Sequence, residues 1–393
     1  MVSVSALEIL SDLVAEPTVA GRSNLALIDA LAERLSGLGA AVRVVESVRE
    51  DARNLHAVLG PADAPGGILL AAHSDVVDVE GQPWTHDPFA LSVRDGRAYG
   101  RGSADMKGFL AAALAALERD GLARRLRRPV HIALSSDEEL GCRGVGPLLD
   151  ALAELPVRPA WALVGEPTEL RIVDRHKGKA AARIELRGLA AHSSVPADGV
   201  NAVAHAGVFI ARLLELAEEL RAGPLDRAFR APFSTVGIGP VRGGVAVNIV
   251  PDRCTLDVEL RTVPAVDPLE LMERVRALAD DVAAAMRAEH DGCGVSVEPL
   301  SSYPGLAPAD DGGVGRCAAA VSAALEEDAG GGPAAVDFGT EAGLYARALG
   351  IPVLVCGPGS MRDAHRANES LALDQLVAAE TMVARLCETL TAA

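Results

Sequence analysis

The feature that most constrains this chain is an apolar run that leads directly into crowded acidic residues. Val130–Leu134 is short and apolar, which predicts a buried strand, and Ser135–Glu139 (Ser-Ser-Asp-Glu-Glu) follows at once. Gly141 and Gly144 come next and predict a turn. A strand that ends here would carry three carboxylates to one place, where like charges raise each other's pKa unless a cation lies among them. The stretch therefore indicates either a metal site with a general base or a solvated acidic turn.

Three other predicted strands also end in polar residues of the kinds that bind metals. The three runs and the residues that follow them are Gly66–Ala72 with His73, Ala160–Val164 with Glu166, and Ile351–Cys356 with His365. The first run is apolar on both faces, as in a sheet that is covered on both sides. Open α/β sheets bind ligands in the crevice outside the carboxyl ends of their strands. We therefore expect these three residues and Glu139 to meet at one edge of a sheet.

The pattern of strands and helices changes twice along the 393 residues, a length that suggests two or three domains. Strands alternate with helical patterns up to residue 177 and again from residue 302, which predicts an α/β fold with a mostly parallel sheet. Between them, the predicted order β-α-β-β-α-β is that of a ferredoxin-like arrangement. We expect residues 1–177 and 302–393 to form one α/β domain, with a smaller α+β domain, residues 178–301, inserted into it.

Three further elements are predicted from local signals. Leu91–Arg101 is expected to form a hairpin that turns on Asp95-Gly96, because Asp-Gly suits a two-residue turn. Ala246–Val250 is predicted to be a strand of the inserted domain, and Glu369–Leu390 is predicted to be the closing helix.

Composition and charge exclude several classes of partner. The net charge is 37 − 54 = −17, and only 3% of residues are aromatic. An acidic surface repels phosphate backbones and anionic lipids, so we expect no nucleic-acid or membrane partner. Met1–Val14 lacks a basic start and contains acidic residues, which argues against a signal peptide. The six cysteines are scattered without Cys-x-x-Cys spacing, as expected for buried thiols in a reducing cytoplasm.

The residue types at the predicted sheet edge indicate a pair of divalent cations. Two histidines and three carboxylates without cysteine suit Zn²⁺, or Co²⁺ or Mn²⁺, at an open catalytic site. Five ligands exceed the needs of one catalytic zinc and suit two ions if one carboxylate bridges them. Asp105, short and placed before a predicted helix, is the expected bridge. That leaves His73 with Glu166 on one ion and Glu139 with His365 on the other.

Two neighbouring carboxylates are given supporting roles. Asp75 follows His73 by two residues, and its carboxylate can accept the proton of the second imidazole nitrogen. Glu138 is then left without a metal to bind, and it can take a proton from a water molecule and return it to a leaving group.

At these residues the chain resembles the M20 metallopeptidase/deacylase family, over about Leu70 to Glu369. One departure is Phe109, where many members have a second glycine. The similarity is greatest to the deacetylase branch, with the desuccinylases nearby. The matching segments are His73-Ser74-Asp75, Gly100–Gly108, Asp137–Gly144, Gly165–Thr168, Thr340-Glu341-Ala342 and Gly357–His365.

The resemblance implies the ligand roles given above and a cis peptide bond after Asp105. It also implies that the inserted domain makes a homodimer and closes as a lid, and that His192 is an oxyanion donor for the partner subunit's site. Without the resemblance, His192 is an ordinary polar surface residue in a serine-rich turn. Five more residues are expected to contact the substrate: Asn248, Arg261, Thr340, Gly359 and, as a weaker candidate, Lys177.

The function implied is removal of an N-acyl group, acetyl first, from an amino acid such as N-acetylornithine. The small-molecule alternatives are a succinyl-diaminopimelate type of desuccinylase, another N-acyl-amino-acid deacylase, or a dipeptidase of the same family. An alternative from a different class is an inactive binding or regulatory dimer on the same fold, which a missing ligand or a missing Glu138 would favour.

Overall fold

A computed structural model describes residues 5–308, 312–326 and 333–392. Its helices are α1 (Ala6–Ala15), α2 (Leu25–Gly37), α3 (Lys107–Glu118), α4 (Leu122–Arg125), α5 (Gly146–Ala153), α6 (Ala202–Leu220), α7 (Pro268–Glu289), α8 (Gly313–Leu325), α9 (Ala342–Leu349) and α10 (Leu373–Glu388). Its strands are β1 (Ala41–Glu46), β2 (Arg53–Leu59), β3 (Ile68–His73), β4 (Ser92–Arg94), β5 (Arg97–Tyr99), β6 (Val130–Ser135), β7 (Trp161–Val164), β8 (Val173–His176), β9 (Gly178–Arg187), β10 (Thr235–Gly243), β11 (Arg253–Thr262), β12 (Gly294–Tyr303), β13 (Ala334–Val336), β14 (Val353–Val355) and β15 (Ser370–Ala372).

The described residues divide into two compact units. The first takes those of 1–175, 308–335 and 340–393, and the second takes 176–307 and 336–339. The limits of the inserted domain expected from the sequence, residues 178 and 301, stay a prediction. The short return of Val336–Gly339 to the second unit has no signal in the sequence.

The first unit is built on an eight-stranded sheet in the order β1-β2-β6-β3-β7-β14-β8-β13. Its centre is parallel, because β3 pairs in parallel with β6 and β7, and β14 does so with β7. The predicted mostly parallel α/β fold is confirmed. The register places His73 opposite Ser135, so the carboxyl ends of these two strands lie side by side.

Helix α3 is the centre of the unit's helical layer. Its sequence, from Lys107 to Leu117, is buried on every face, and α1 and α10 pack against it. The many alanines explain this, because small side chains allow neighbouring helices to approach closely. Helix α1 begins with a capping box in which the Ser5 and Glu8 side chains bind each other's backbone N–H groups.

A second small sheet, in the order β15-β5-β4, gives one confirmation and one correction. The hairpin β4–β5 turns on Asp95 and Gly96, both with positive φ, as predicted. The predicted start of the closing helix at Glu369 is wrong. Residues 370–372 instead form β15, which pairs with β5, and α10 begins at Leu373. Pairing with an existing edge strand outweighs the local helical pattern there.

The second unit has a four-stranded antiparallel sheet in the order β10-β11-β9-β12. Strand β9 alternates buried and exposed residues, and its buried side chains pack with those of α6 and α7. The predicted β-α-β-β-α-β order is confirmed.

The strand predicted at Ala246–Val250 is wrong. Only an isolated bridge between Ile249 and His192 forms there. The Val247 side chain is fully exposed, so no neighbouring strand covers the apolar residues that suggested the strand.

No helix among the described residues has both the length and the apolar character needed to cross a membrane.

Candidate metal centre

The centre lies at the carboxyl ends of the parallel strands of the first unit. His73 is the last residue of β3, and Glu138 and Glu139 follow β6 after a short turn. Strand β7 ends at Val164, and Glu166 lies two residues beyond it. The paired registers of β3, β6 and β7 bring these ends to one edge of the sheet.

Asp105 lies between the two histidines. Its Oδ1 is 3.1 Å from Nε2 of His73, and its Oδ2 is 3.2 Å from Nε2 of His365. The carboxylate is 4% exposed and comes just before α3, and its peptide bond to Met106 is cis. Each carboxylate oxygen therefore faces a different imidazole nitrogen, which is the arrangement that a bridging ligand requires.

The remaining predicted ligands complete the two sides of this bridge. His365 Nε2 is 3.1 Å from Glu139 Oε2, and His73 Nε2 is 4.0 Å from Glu166 Oε1. The donor atoms of His73, Asp105 and Glu139 all lie within 4.8 Å of one another. The structure thus brings together all five residues that the sequence analysis named as ligands.

Glu138 lies closer to the centre than the sequence analysis expected. Its carboxylate forms a second group with His73 and Glu166, in which all donor atoms lie within 4.8 Å. Its distance alone therefore does not separate a metal ligand from a general base.

The electrostatics of the centre show a deficit of positive charge. Burial and the neighbouring Asp105 charge raise the pKa of Glu139 to about 8 and raise the pKa of Glu166 well above its ordinary value. Hydrogen bonds to Asp105 and Glu139 raise the pKa of His365 to about 10. Burial opposes protonation of His73, but the Asp105 and Asp75 carboxylates raise its pKa nonetheless.

The donor set fits divalent cations. Nitrogen and oxygen donors without sulfur, held within a few ångströms of one another in a buried site, are typical of zinc and similar ions. His73 Nδ1 lies 2.9 Å from the backbone oxygen of Asp75, which can only accept, so Nδ1 carries a proton and Nε2 is the nitrogen left to bind a cation.

The predicted hydrogen bond between the Asp75 carboxylate and His73 is wrong, because the two groups are too far apart. The nearer Asp75 carboxylate oxygen lies 3.8 Å from Nδ1, and the backbone oxygen takes its place. The carboxylate instead accepts the backbone N–H groups of Glu138 and Glu139, each at 3.1 Å. A short aspartate close to the turn satisfies two backbone donors more readily than it reaches the imidazole two residues before it. Asp75 therefore fixes the turn that carries both glutamates.

Only two of the three consecutive carboxylates are directed to the centre. Asp137 has a positive φ, and its Oδ1 accepts hydrogen bonds from the backbone N–H of Gly21 at 2.9 Å and from Arg49 at 3.2 Å. It anchors the turn, which a count of acidic residues in the sequence does not reveal.

Sequence analysis assigned no individual role to three buried residues next to the centre. Cys142 Sγ donates to Glu138 Oε1 at 3.3 Å. Glu341 Oε2 accepts from Ser135 Oγ at 2.8 Å. Glu369 Oε1 accepts the backbone N–H groups of Ala104 and Asp105. Glu369, four residues after His365, was the most accessible of these to a search for acidic residues near predicted ligands.

Of the two substrate candidates in the first unit, Thr340 is fully buried. Its hydroxyl accepts the backbone N–H of Ala342 at 3.0 Å, at the start of α9. A buried hydroxyl used in this way is out of reach of a substrate, so the geometry does not support this prediction.

Gly359 has a φ of 94°, and its N–H donates to Gln375 at 2.7 Å. A side chain at this position would start 3.0 Å from Ala104 Cβ. Glycine is required there for the loop leading to His365 to approach the loop that carries Asp105. Its contact with a substrate stays a prediction.

His192 and Asn248 lie side by side on exposed loops of the second unit, where the backbone N–H of Ser193 donates to the backbone oxygen of Asn248 at 3.1 Å. The backbone N–H of Ser194 donates to His192 Nδ1 at 3.2 Å. Nδ1 is therefore an acceptor, and Nε2 carries the proton and can act as a donor.

The two cationic candidates of the second unit already have partners within that unit. Arg261 binds Glu259 through Nε and Nη2, at 2.8 and 3.3 Å, and its Nη1 donates to Tyr303 Oη at 3.2 Å. Lys177 Nζ donates to the backbone oxygens of Ala231 and Phe233 at 2.7 and 3.0 Å. A role for either in substrate binding stays a prediction, and for Arg261 it requires Glu259 to give way.

Phe109, the departure from the family pattern, is accommodated by a glycine. A Cβ at Gly165 would lie 1.9 Å from the Phe109 ring, so the ring fills the space that Gly165 leaves. The large side chain therefore packs directly beneath the residue that precedes Glu166.

Known proteins match this chain over most of its length. Residues 69–389 match the model of peptidase family M20/M25/M40. The chain is 36% identical to an acetylornithine deacetylase of Myxococcus xanthus over 381 residues, which cover 96% of this chain and 95% of the relative.

Solved structures share the fold at lower identity. An M20 family metallo-carboxypeptidase from Sulfolobus solfataricus superposes with a TM-score of 0.78 at 18% identity, over 98% of this chain and 99% of that one. A Bacillus subtilis protein described as a dinuclear metal binding peptidase of the M20 family superposes with a TM-score of 0.65 at 16% identity, over 97% and 96%.

Proposed function

Because the chain belongs to peptidase family M20/M25/M40 and is a hydrolase of that family, we propose that it removes the acetyl group from N-acetylornithine or a closely related N-acyl amino acid. The observation that carries the proposal is the position of Asp105, whose two oxygens each face one histidine. The name of the 36% identical relative supports the choice of substrate.

The residues that would hold two cations are His73 with Glu166 on one side and Glu139 with His365 on the other, with Asp105 between them. The short contacts of His365 with Asp105 and Glu139 support this division. When bound, the ions would supply Lewis-acid polarisation of the amide carbonyl and of the attacking water. We propose Zn²⁺ as the native ion, with Co²⁺ or Mn²⁺ as substitutes.

Glu138 is the proposed general base and acid. Burial raises the pKa of its carboxyl, which brings its proton affinity closer to the value needed for proton transfer near neutral pH. The Cys142 thiol holds Oε1, while the turn fixed by Asp75 sets the backbone. Glu138 would accept a proton from the water and return it to the departing amine.

The second unit would supply the groups that bind the rest of the substrate. His192, with its Nε2 proton directed away from Ser194, is the proposed donor to the developing oxyanion. Arg261 is the proposed partner of the substrate carboxylate, because its planar fork matches that group. Asn248, exposed beside His192, is a further candidate.

The second unit is also the proposed dimer interface. Strand β10 is an edge strand whose last five residues are exposed. Val241 in this strand is 47% exposed, and Val245 and Val247 just after it are 82% and 100% exposed. An open strand edge with apolar neighbours is a ready surface for association with a second copy. We propose a cytoplasmic location, because the six cysteines are buried and scattered without Cys-x-x-Cys spacing, as suits a reducing compartment.

The test is a hydrolysis panel of N-acetyl, N-succinyl and N-formyl amino acids and dipeptides, each assayed after chelation and after addition of zinc or cobalt. We expect metal-dependent release of acetate, fastest from N-acetylornithine. Robust dipeptide cleavage without turnover of N-acetylornithine would overturn the proposed substrate. No hydrolysis of any member by the metal-loaded protein would favour the binding dimer instead.

A further inference from the structure

A buried ion pair lies directly behind the proposed bridging ligand. Arg101 Nη1 donates to Glu369 Oε2 at 2.6 Å, and both side chains are 1% exposed. The second oxygen of Glu369 accepts the backbone N–H groups of Ala104 at 2.9 Å and of Asp105 at 3.0 Å. Every oxygen of this carboxylate is therefore used to hold the loop that carries Asp105.

Glu369 also belongs to the segment that carries His365. It follows His365 by four residues, and its backbone oxygen accepts the N–H of Gly100, at the other end of the Asp105 loop. Directly after it, β15 pairs with β5 through Ser370 and Tyr99. The residue is thus the point at which the chain segments of the two proposed ligands are joined.

Arg101 is itself held in place from the opposite side. Its Nη2 donates to Gln82 Oε1 at 2.5 Å, and its guanidinium lies 5.0 Å from the centre of the Trp84 ring. A guanidinium stacked on an aromatic ring and bound at both ends has little freedom to turn. The Glu369 carboxylate therefore has a fixed partner.

We propose that Glu369, oriented by Arg101, is a positioning residue that sets the separation of Asp105 and His365. It would thereby set the affinity of the site for the cation that Glu139 and His365 would hold. The inference rests on the proposed metal centre and is independent of the identity of the substrate. Residues behind metal ligands commonly change metal affinity by about 10- to 100-fold when they are removed.

The chain offers a matched control in the ion pair of Arg97 and Asp363. This pair also joins β5 to the segment around His365, at 2.5 Å, but it is partly exposed, and Arg97 also donates to Ser370 Oγ at 2.8 Å rather than to Glu369. A purely structural link between the segments would depend on both pairs alike. If Glu369 instead positions the Asp105 loop, metal affinity should depend on the Arg101–Glu369 pair and not on the Arg97–Asp363 pair.

The experiment compares the full-length parent with E369Q, E369A and D363N. Each protein is stripped with a chelator, titrated with Zn²⁺ and with Co²⁺ by calorimetry, and melted with and without the ions. We expect the parent to bind two ions, E369A to bind one of them at least tenfold more weakly, and E369Q to show a smaller loss. The rise in melting temperature on metal addition should shrink in both Glu369 variants and remain unchanged in D363N.

Parent-like affinity for two ions in E369Q and E369A would overturn the inference, as would an equal loss in D363N. If E369A fails to fold, the isosteric E369Q decides the question by itself, since parent-like affinity there contradicts the inference. A parent that binds no divalent ion would overturn the proposed metal centre itself and this inference with it. A parent that binds two ions while hydrolysing nothing would overturn only the proposed function.

Discussion

The two units present their candidate functional groups in opposite ways. In the first, His73, Asp105 and Glu166 are at most 5% exposed and are fixed by strand ends and backbone hydrogen bonds. In the second, His192 and Asn248 lie on exposed loops, and Arg261 is occupied by Glu259. The groups proposed for a small cation are thus built into the scaffold, whereas those proposed for the larger substrate must be released from other partners or approach from a loop.

The largest expected effect concerns Glu138, the proposed general base of the first unit. Glu138→Ala should lower kcat by about 10²- to 10⁴-fold, because proton transfer by a positioned side chain contributes that much. Metal content and melting temperature should change little. The matched control is Asp137→Asn, next in sequence but directed to Arg49, which should retain kcat within a few-fold. Near-parental kcat in Glu138→Ala would remove this residue from the mechanism.

The next effect is a loss of stability in acid from a buried histidine pair. His56 Nε2 and His131 Nδ1 are 3.0 Å apart, and burial lowers the pKa of each ring from 6.5 to about 4. Between these values the unfolded chain binds more protons, so stability is complete above pH 6.5 and falls as the pH drops towards 4. The cost is about 3 kcal/mol for each ring.

This loss is measured by urea unfolding of chelator-treated protein from pH 4 to 7.5. His131→Leu should have a shallower dependence on pH than the parent, by roughly the contribution of one ring. Identical slopes in parent and variant would show that the pair does not titrate on unfolding. Both histidines lie in the scaffold of the first unit and not among its proposed ligands. The measurement therefore tests the cost of placing a positive charge in the interior of that unit.

A smaller effect is expected at the contact beneath Glu166. Gly165→Ala would place a methyl group against the Phe109 ring, and overpacking of this kind costs about 1–3 kcal/mol. Thermal melting should show the loss of stability. The double variant Gly165→Ala/Phe109→Ala should lose less stability than the sum of the losses of the two single variants. Additive losses would show that the ring and the glycine do not compete for the same space.

The smallest effect is expected in the second unit. Arg261→Lys should raise KM by about tenfold with kcat little changed, because a lysine cannot make the two parallel bonds to a carboxylate. Arg183→Lys is the control, since Arg183 binds Asp257 in the same two-pronged way on the neighbouring strand. An equal KM for Arg261→Lys and the parent would leave the second unit without its proposed carboxylate partner.

The grouping of candidate ligands in the first unit could be predicted from the sequence for a physical reason. Parallel strands end at one edge, so His73, Glu139 and Glu166 needed only strand assignments and residue types to be grouped. The role of Glu369 could not be predicted, because it depends on the three-residue strand β15 within a stretch of helical character. The Glu259–Arg261 pair was accessible from the two-residue period of a strand, whereas the burial of Thr340 depends on packing that no local pattern encodes.

The central claim is that Asp105 bridges two divalent cations between His73 and His365. The most direct measurement is anomalous diffraction at the zinc edge from crystals grown with Zn²⁺. We predict two peaks about 3.5–4 Å apart, one on each side of the Asp105 carboxylate. A single peak, or two peaks that do not share Asp105, would contradict the claim.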